Sequence, residues 1–237
     1  THTGPLDSTS ASMSGNGTVV INGTKFSFEG ASGLTYDGTL TTLTGNGVNL
    51  TGDISGAGIL ENSGGNNTIS GHNTSAGSNI VGGSLTLGNT YSLGNTGNSV
   101  STGTLILPNA GSAALNTYAQ NFTVAGVGEN AAGAIELGTH ATVGSSRLTG
   151  TLTVTASSKL RTEGISGTQT FAGAINVTAP SVTLEVLTAN GSVGVIDNSA
   201  NTAPSILEKT GTGTLRLASG STITATGGVN LRAGVTK

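Results

Sequence analysis

The chain has no cysteine and no tryptophan, 4 prolines, and charge on 8% of its residues. Without cysteine there can be no disulfide and no thiolate metal site. The same absence fits a protein that is exported unfolded. No apolar run approaches the roughly 18–20 residues that a membrane helix needs, so membrane insertion by a helix is not expected. No basic segment followed by an apolar one opens the chain, and its start at Thr1 without Met reads as a processed or trimmed end. No Lys or Arg occurs from 26 to 146. A phosphate-binding surface needs clustered cations, so nucleic acid is excluded as a partner. A formal net charge of −3 gives little long-range steering of any ligand.

What is present in excess is glycine and threonine, 40 of each among 237 residues. The glycines show no three-residue period, which excludes collagen. Scarce charge and plentiful β-branched residues exclude a disordered chain. One short phrase returns along the sequence: glycine, a small polar residue, then aliphatic residues alternating with Thr or Ser. It occurs at Gly83-Ser84-Leu85-Thr86-Leu87, Gly103-Thr104-Leu105-Ile106-Leu107, Gly150-Thr151-Leu152-Thr153-Val154 and Gly213-Thr214-Leu215-Arg216-Leu217. Strands restarting every 8–12 residues or so, broken by Gly and Asn, predict an all-β chain.

Residues 1–15 read as a polar N-terminal segment, and 16–237 as one continuous β-structure. Thr18–Ile21 and Lys25–Phe28 flank Asn22-Gly23, a strong hairpin signal. Short strands follow near 39–43, 47–50, 58–61, 67–69, 79–81 and 84–87. The stretch 108–120 (PNAGSAALNTYAQ) reads as a loop, insertion or short helix and a soft boundary between halves. Beyond it, alternation is cleaner: Leu148, Leu152 and Val154 share one face, as do Phe171, Ile175 and Val177, and then Val182, Leu184 and Val186. Strands that bury one face each predict a right-handed parallel β-helix, or β-solenoid. At roughly 20–25 residues a turn it would have about ten coils. The alternative is a β-sandwich, favoured by the hairpin signal and the strand number. Asn66-Asn67 is a candidate for amide ladders between stacked corners.

Two segments carry a family resemblance. Gly56-Ala57-Gly58-Ile59-Leu60-Glu61-Asn62-Ser63-Gly64-Gly65-Asn66-Asn67-Thr68-Ile69-Ser70-Gly71 is one, and Ile206-Leu207-Glu208-Lys209-Thr210-Gly211-Thr212-Gly213-Thr214-Leu215-Arg216-Leu217 the other. Both resemble the passenger-associated strand repeat, G-x-L-x-K/N-x-G-x-G-T-L-x-L, of autotransporter passenger domains. Similar patterns occur in filamentous-haemagglutinin-like adhesins. The resemblance covers residues 47–106 and 147–235. It implies an exported β-solenoid displayed on, or shed from, a bacterial surface, and it names no activity.

Residues suited to catalysis or ligation are sparse. Sugar hydrolysis needs two carboxyl groups roughly 5–10 Å apart. Asp7, Asp37, Asp53 and Asp197 are isolated in sequence, and Glu61, Glu136, Glu163, Glu185 and Glu208 mostly occupy outward strand positions. Stacking could still bring Glu185 and Glu208 together. His2, His72 and His140 lack metal-ligand spacing. No residue is assigned a catalytic, cofactor-binding or metal-ligating role, and no enzyme activity is expected. Ranks of Thr at 149–155 and 210–226 suit an ice-binding face, but Thr is also a common outward strand residue. The aromatics Phe26, Phe28, Tyr36, Tyr91, Tyr118, Phe122 and Phe171 are scattered rather than gathered in a groove. The expected function is a secreted or surface-displayed structural or adhesive protein that self-associates through exposed strand edges or rod ends. A module binding surface glycans is the alternative, and an ice-binding protein or carbohydrate-active enzyme ranks below both.

Overall fold

The structure is a computed structural model. It describes residues 59–178 apart from 75–76, 95–96, 111–114, 140–142 and 165, and outside that stretch 26–28, 34–35, 40–43, 47–50, 54–55, 183–188, 193–196, 206–210, 212–217, 229–232 and 235–236. Most of the described residues are in strands. In order, these are β1 (Phe26–Phe28), β2 (Leu34–Thr35), β3 (Leu40–Leu43), β4 (Val48–Leu50), β5 (Ile54–Ser55), β6 (Ile59–Ile69), β7 (Gly77–Leu87), β8 (Asn98–Val100), β9 (Thr104–Leu107), β10 (Leu115–Tyr118) and β11 (Phe122–Gly126). After a 3-10 turn at Glu129–Ala131 come β12 (Ile135–Leu137), β13 (Ser145–Leu148), β14 (Leu152–Thr162), β15 (Thr168–Phe171), β16 (Ile175–Val177), β17 (Thr183–Thr188), β18 (Val193–Ile196), β19 (Ile206–Thr210), β20 (Thr214–Leu217), β21 (Val229–Leu231) and β22 (Val235–Thr236).

The expected right-handed parallel β-helix of about ten coils requires correction. β7 pairs with β8 through Ser78–Ile80 and with β9 through Ser84–Thr86, and β14 likewise serves β11 with its first half and β12 with its second. β8 joins β11 and β9 joins β12. Six parallel strands, β7, β8, β11, β14, β12 and β9, therefore close into a ring, a barrel rather than a helix, with further strands added to it. The all-β class holds. Each ladder between the described strands is parallel, so the alternative of an antiparallel sandwich does not hold either. The Asn22-Gly23 hairpin lies outside the described residues. Within 108–120, Leu115–Tyr118 is a strand that opens a six-stranded parallel sheet, β10-β13-β15-β18-β20-β22.

Closure depends on the two long strands bending midway. β7 turns at Gly82-Gly83, where Gly83 has φ +61 and a Cβ would stand 2.1 Å from the Gly65 carbonyl oxygen. Only glycine fits both the backbone region and the space. Inside the ring, side chains stack in columns. Ile80, Val100, Val124 and Val154 form one, and Leu85, Leu105, Ile135 and Leu160 the facing one, all at 0–1% exposure. Tyr118, Leu148 and Phe171 form a third column on the six-stranded sheet. The tyrosine hydroxyl is not left orphaned, since it donates to the Pro108 carbonyl at 2.7 Å.

Corner amides are satisfied locally. Asn62 Nδ2 donates to the Gly82 carbonyl at 2.7 Å, and Asn67 Nδ2 donates to Asn62 Oδ1 at 2.8 Å and to the Gly64 carbonyl at 2.9 Å. Asn66 Oδ1 accepts from Ser84 Oγ at 2.7 Å. The Asn66-Asn67 corner thus bonds across to a serine of β7 and back to Asn62 and its own turn.

Two substitutions test this packing by chemical denaturation. Phe171→Ala is expected to cost about 3–5 kcal/mol, because it empties a column that its neighbours cannot refill. Gly83→Ala is expected to cost about 2 kcal/mol or more, from backbone strain alone before the clash is counted.

Candidate functional site

The chemistry-bearing residues gather on the outward face of β12, β14, β17, β19 and β21. Asp7, Asp37, Asp53, Asp197, His2 and His140 lie outside the described residues. Glu136 is the middle residue of β12, in register with Ile106 on one side and Arg161 on the other. Arg161 Nη1 approaches Glu136 Oε2 at 3.4 Å, and its Nη2 pairs with Glu163 Oε2. Glu163 follows the end of β14 at a corner and is buried. One guanidinium therefore compensates two buried carboxylates, and its Nε is buried without an acceptor.

Burial pushes the Glu136 carboxyl up to about 7; Arg161 pulls the other way, while the charge of Glu163 and a hydrogen bond to it push further upward. The group can hold a proton near neutrality. Its folded pKa lies above the ordinary value, so its contribution to stability is fully present below about pH 4.5 and is lost as pH rises through 7. Glu136→Gln is expected to flatten the pH dependence of unfolding free energy between those limits. A slope in that window as large as in the parent protein would show that another group is responsible.

The adjacent outward column is also paired. Lys159 Nζ lies 3.0 Å from Glu185 Oε1, which also accepts from Thr210 Oγ1 at 2.6 Å. Glu185 and Glu208 are brought into register on β17 and β19, the one juxtaposition of acids anticipated from sequence. Each then faces its own cation, because Arg232 Nε pairs with Glu208. Parallel in-register strands put like charges side by side, and Lys159 on β14 and Arg232 just past β21 offset the repulsion.

Two residues escaped sequence reasoning. Glu129, in the 3-10 turn, accepts from the Gly83 backbone N–H at 3.2 Å and so ties that turn to the bend of β7. Nothing in its local pattern indicates this. Lys209 falls in the inward column that runs from Asn67 through Leu85, Leu105, Ile135 and Leu160, and it is 1% exposed. Its Nζ donates to the Thr210 carbonyl at 2.8 Å. The K/N position of the strand repeat was the available signal: Lys209 and Asn62 both occupy it, and both turn inward to bond backbone carbonyls.

Burial lowers the Lys209 pKa. Its ammonium is therefore a cost at neutral pH that shrinks as the amine deprotonates. Lys209→Met is expected to raise the unfolding free energy at pH 7, with the gain shrinking as pH rises toward the ordinary lysine range. A Lys209→Met protein less stable than the parent at pH 7 would show that the ammonium contributes net stability.

Among the described residues no three or more His, Asp or Glu stand together as metal ligands. His72 instead meets Tyr91 edge to face, with ring centroids 5.5 Å apart at 69°. The Thr ranks are mixed in the cross-strand direction. Thr123 and Thr153 align, but the same outward column continues through Glu61, Asn79, Ser99 and Asn176. Thr222, Thr224 and Thr226 lie outside the described residues. Comparison with family models, curated proteins and solved structures finds no match to this chain.

Proposed function

We propose that the chain is a non-enzymatic structural or adhesive protein of the bacterial cell surface, secreted or displayed there, like the passenger domains whose repeat it resembles. The observation that carries this reading is how the ionisable groups are used. The buried or half-buried carboxylates Glu136, Glu163, Glu185 and Glu208 each face Arg161, Lys159 or Arg232. Such pairs hold strands together and engage these four carboxylates in structural contacts. Dense hydrogen bonding by small polar side chains supports a durable extracellular body in which disulfides play no part.

Self-association is part of the proposal. The parallel sheets have end strands, such as β10 with exposed Leu115, and a strand edge is a template for another chain. Head-to-tail contacts that do not close on themselves produce filaments. Surface glycans are the second partner class, favoured by the exposed ring of Tyr91.

Sedimentation and electron microscopy of the purified chain test the main reading. Oligomers that grow with concentration are expected, and Leu115→Lys, which places a charge on an end strand, should shift assembly to concentrations about tenfold higher, equivalent to about 1.4 kcal/mol. Strictly monomeric particles at high concentration would remove self-association. Hydrolysis or lysis of a polysaccharide by the purified protein would remove the non-enzymatic assignment.

A further inference from the structure

The six-stranded sheet begins only at β10. Earlier in the chain, β6 and β7 are followed by corner loops at 70–74 and 88–94, and these two loops are bonded to one another. Asn73 N donates to the Tyr91 carbonyl at 3.0 Å, and Asn73 Nδ2 to the Ser92 carbonyl at 2.5 Å. Asn89 Nδ2 donates to the Ser70 carbonyl, and Asn89 Oδ1 accepts from the Tyr91 N–H at 2.7 Å. From the far side Gln120, just beyond β10, donates to the Thr90 carbonyl at 2.7 Å. The backbone on both sides of Tyr91 is therefore held by amide side chains.

This anchoring secures a ring that the core does not use. Tyr91 is 65% exposed, the most exposed large hydrophobic side chain among the described residues. Its neighbour across the loops is the exposed His72, whose ring meets it edge to face. The residue after Tyr91 on this loop, Ser92, is fully buried, and Leu93 packs into the core at 3% exposure. The loop thus turns its apolar side inward at Leu93 and presents one aromatic ring outward, on a backbone that is already ordered.

The segments that carry the ring are neutral. From 62 to 128 the sequence has no Asp, Glu, Lys or Arg. Both loops and β10 fall inside that stretch. A charged ligand would find no counter-charge from these segments. A neutral ring with an apolar face and a hydroxyl rim fits better, because its apolar face can stack on the exposed phenol. Because the loops are fixed beforehand, little ordering entropy opposes binding.

We infer that the His72–Tyr91 shelf is a binding subsite for a neutral saccharide, with Tyr91 as the stacking platform and His72 as its polar edge. The inference rests on the proposed surface location only for where saccharides are met; the subsite itself stands on the ring geometry and the uncharged setting.

The test is NMR titration of the intact chain with cellotriose, maltotriose and chitotriose, following the Tyr91 and His72 ring signals. At least one trisaccharide is expected to give saturable shifts with a Kd on the order of 1 mM. Tyr91→Ala should abolish them, and Tyr91→Phe, which keeps the platform, should retain them. Tyr91 is largely exposed, so a well-dispersed spectrum of each variant confirms that the fold is kept. Absence of saturable shifts at both rings with all three sugars at tens of millimolar overturns the inference. Binding that survives Tyr91→Ala overturns it equally. Sedimentation of the Tyr91→Ala chain should match that of the parent, so loss of sugar binding and loss of self-association are read separately.

Discussion

In-register parallel pairing is the constraint on which the rest of this structure depends. When each strand lies parallel to the next with no offset, a residue stacks on its counterpart from the neighbouring strand, and every column must be chemically uniform or internally compensated. The inward columns meet the condition with aliphatic residues: Leu85, Leu105, Ile135 and Leu160 repeat almost the same side chain on four successive strands. The outward columns meet it with small polar residues or with alternating charge. A column of like charge is not tolerated without help, and Glu185 beside Glu208 shows the help, Lys159 on β14 for the one and Arg232, just past β21, for the other.

The same constraint explains where polar groups are buried. A chain that bends within one long strand leaves carbonyls pointing into the bend, and these must be bonded. Asn62 and Asn67 do this from inward positions at or beside such bends. Their burial does not contradict the hydrophobic pattern of the columns they interrupt. It marks the points where backbone, rather than side chain, has to be satisfied.

Much of the strand pattern was legible in advance. The alternation around Leu148, Leu152 and Val154, and around Phe171 and Ile175, correctly indicates the buried face, because period-two patterning is a local property of a half-buried strand. Closure of the ring was not legible. It depends on β7 and β14 each serving two ladders, and the sequence reads β7 as two strands, near 79–81 and 84–87, with Gly82-Gly83 between them. Whether an interruption is a bend inside a strand or a break between strands is decided by what lies above and below it. The Ala-bearing segment around Leu115 misled for a related reason: local propensity is indifferent there, and the edge offered by β13 makes it a strand. The acidic site was half legible. Outward Glu positions follow from alternation, but the sharing of Arg161 by Glu136 and Glu163 does not.

By itself the sequence determined that this protein is all-β, that the aliphatic residues of its alternating strands mostly face inward, and that a large central stretch carries no charge. These follow from composition and alternation, which act residue by residue. Tertiary structure alone decided which strands meet, that six of them close on one another, that the Glu136 carboxyl shares its cation with Glu163, and that His72 comes to rest against Tyr91. Those are relations between residues 19 or more positions apart in several contacts, as between Asn73 and Ser92. They arise from the register of neighbouring strands, which no single strand encodes.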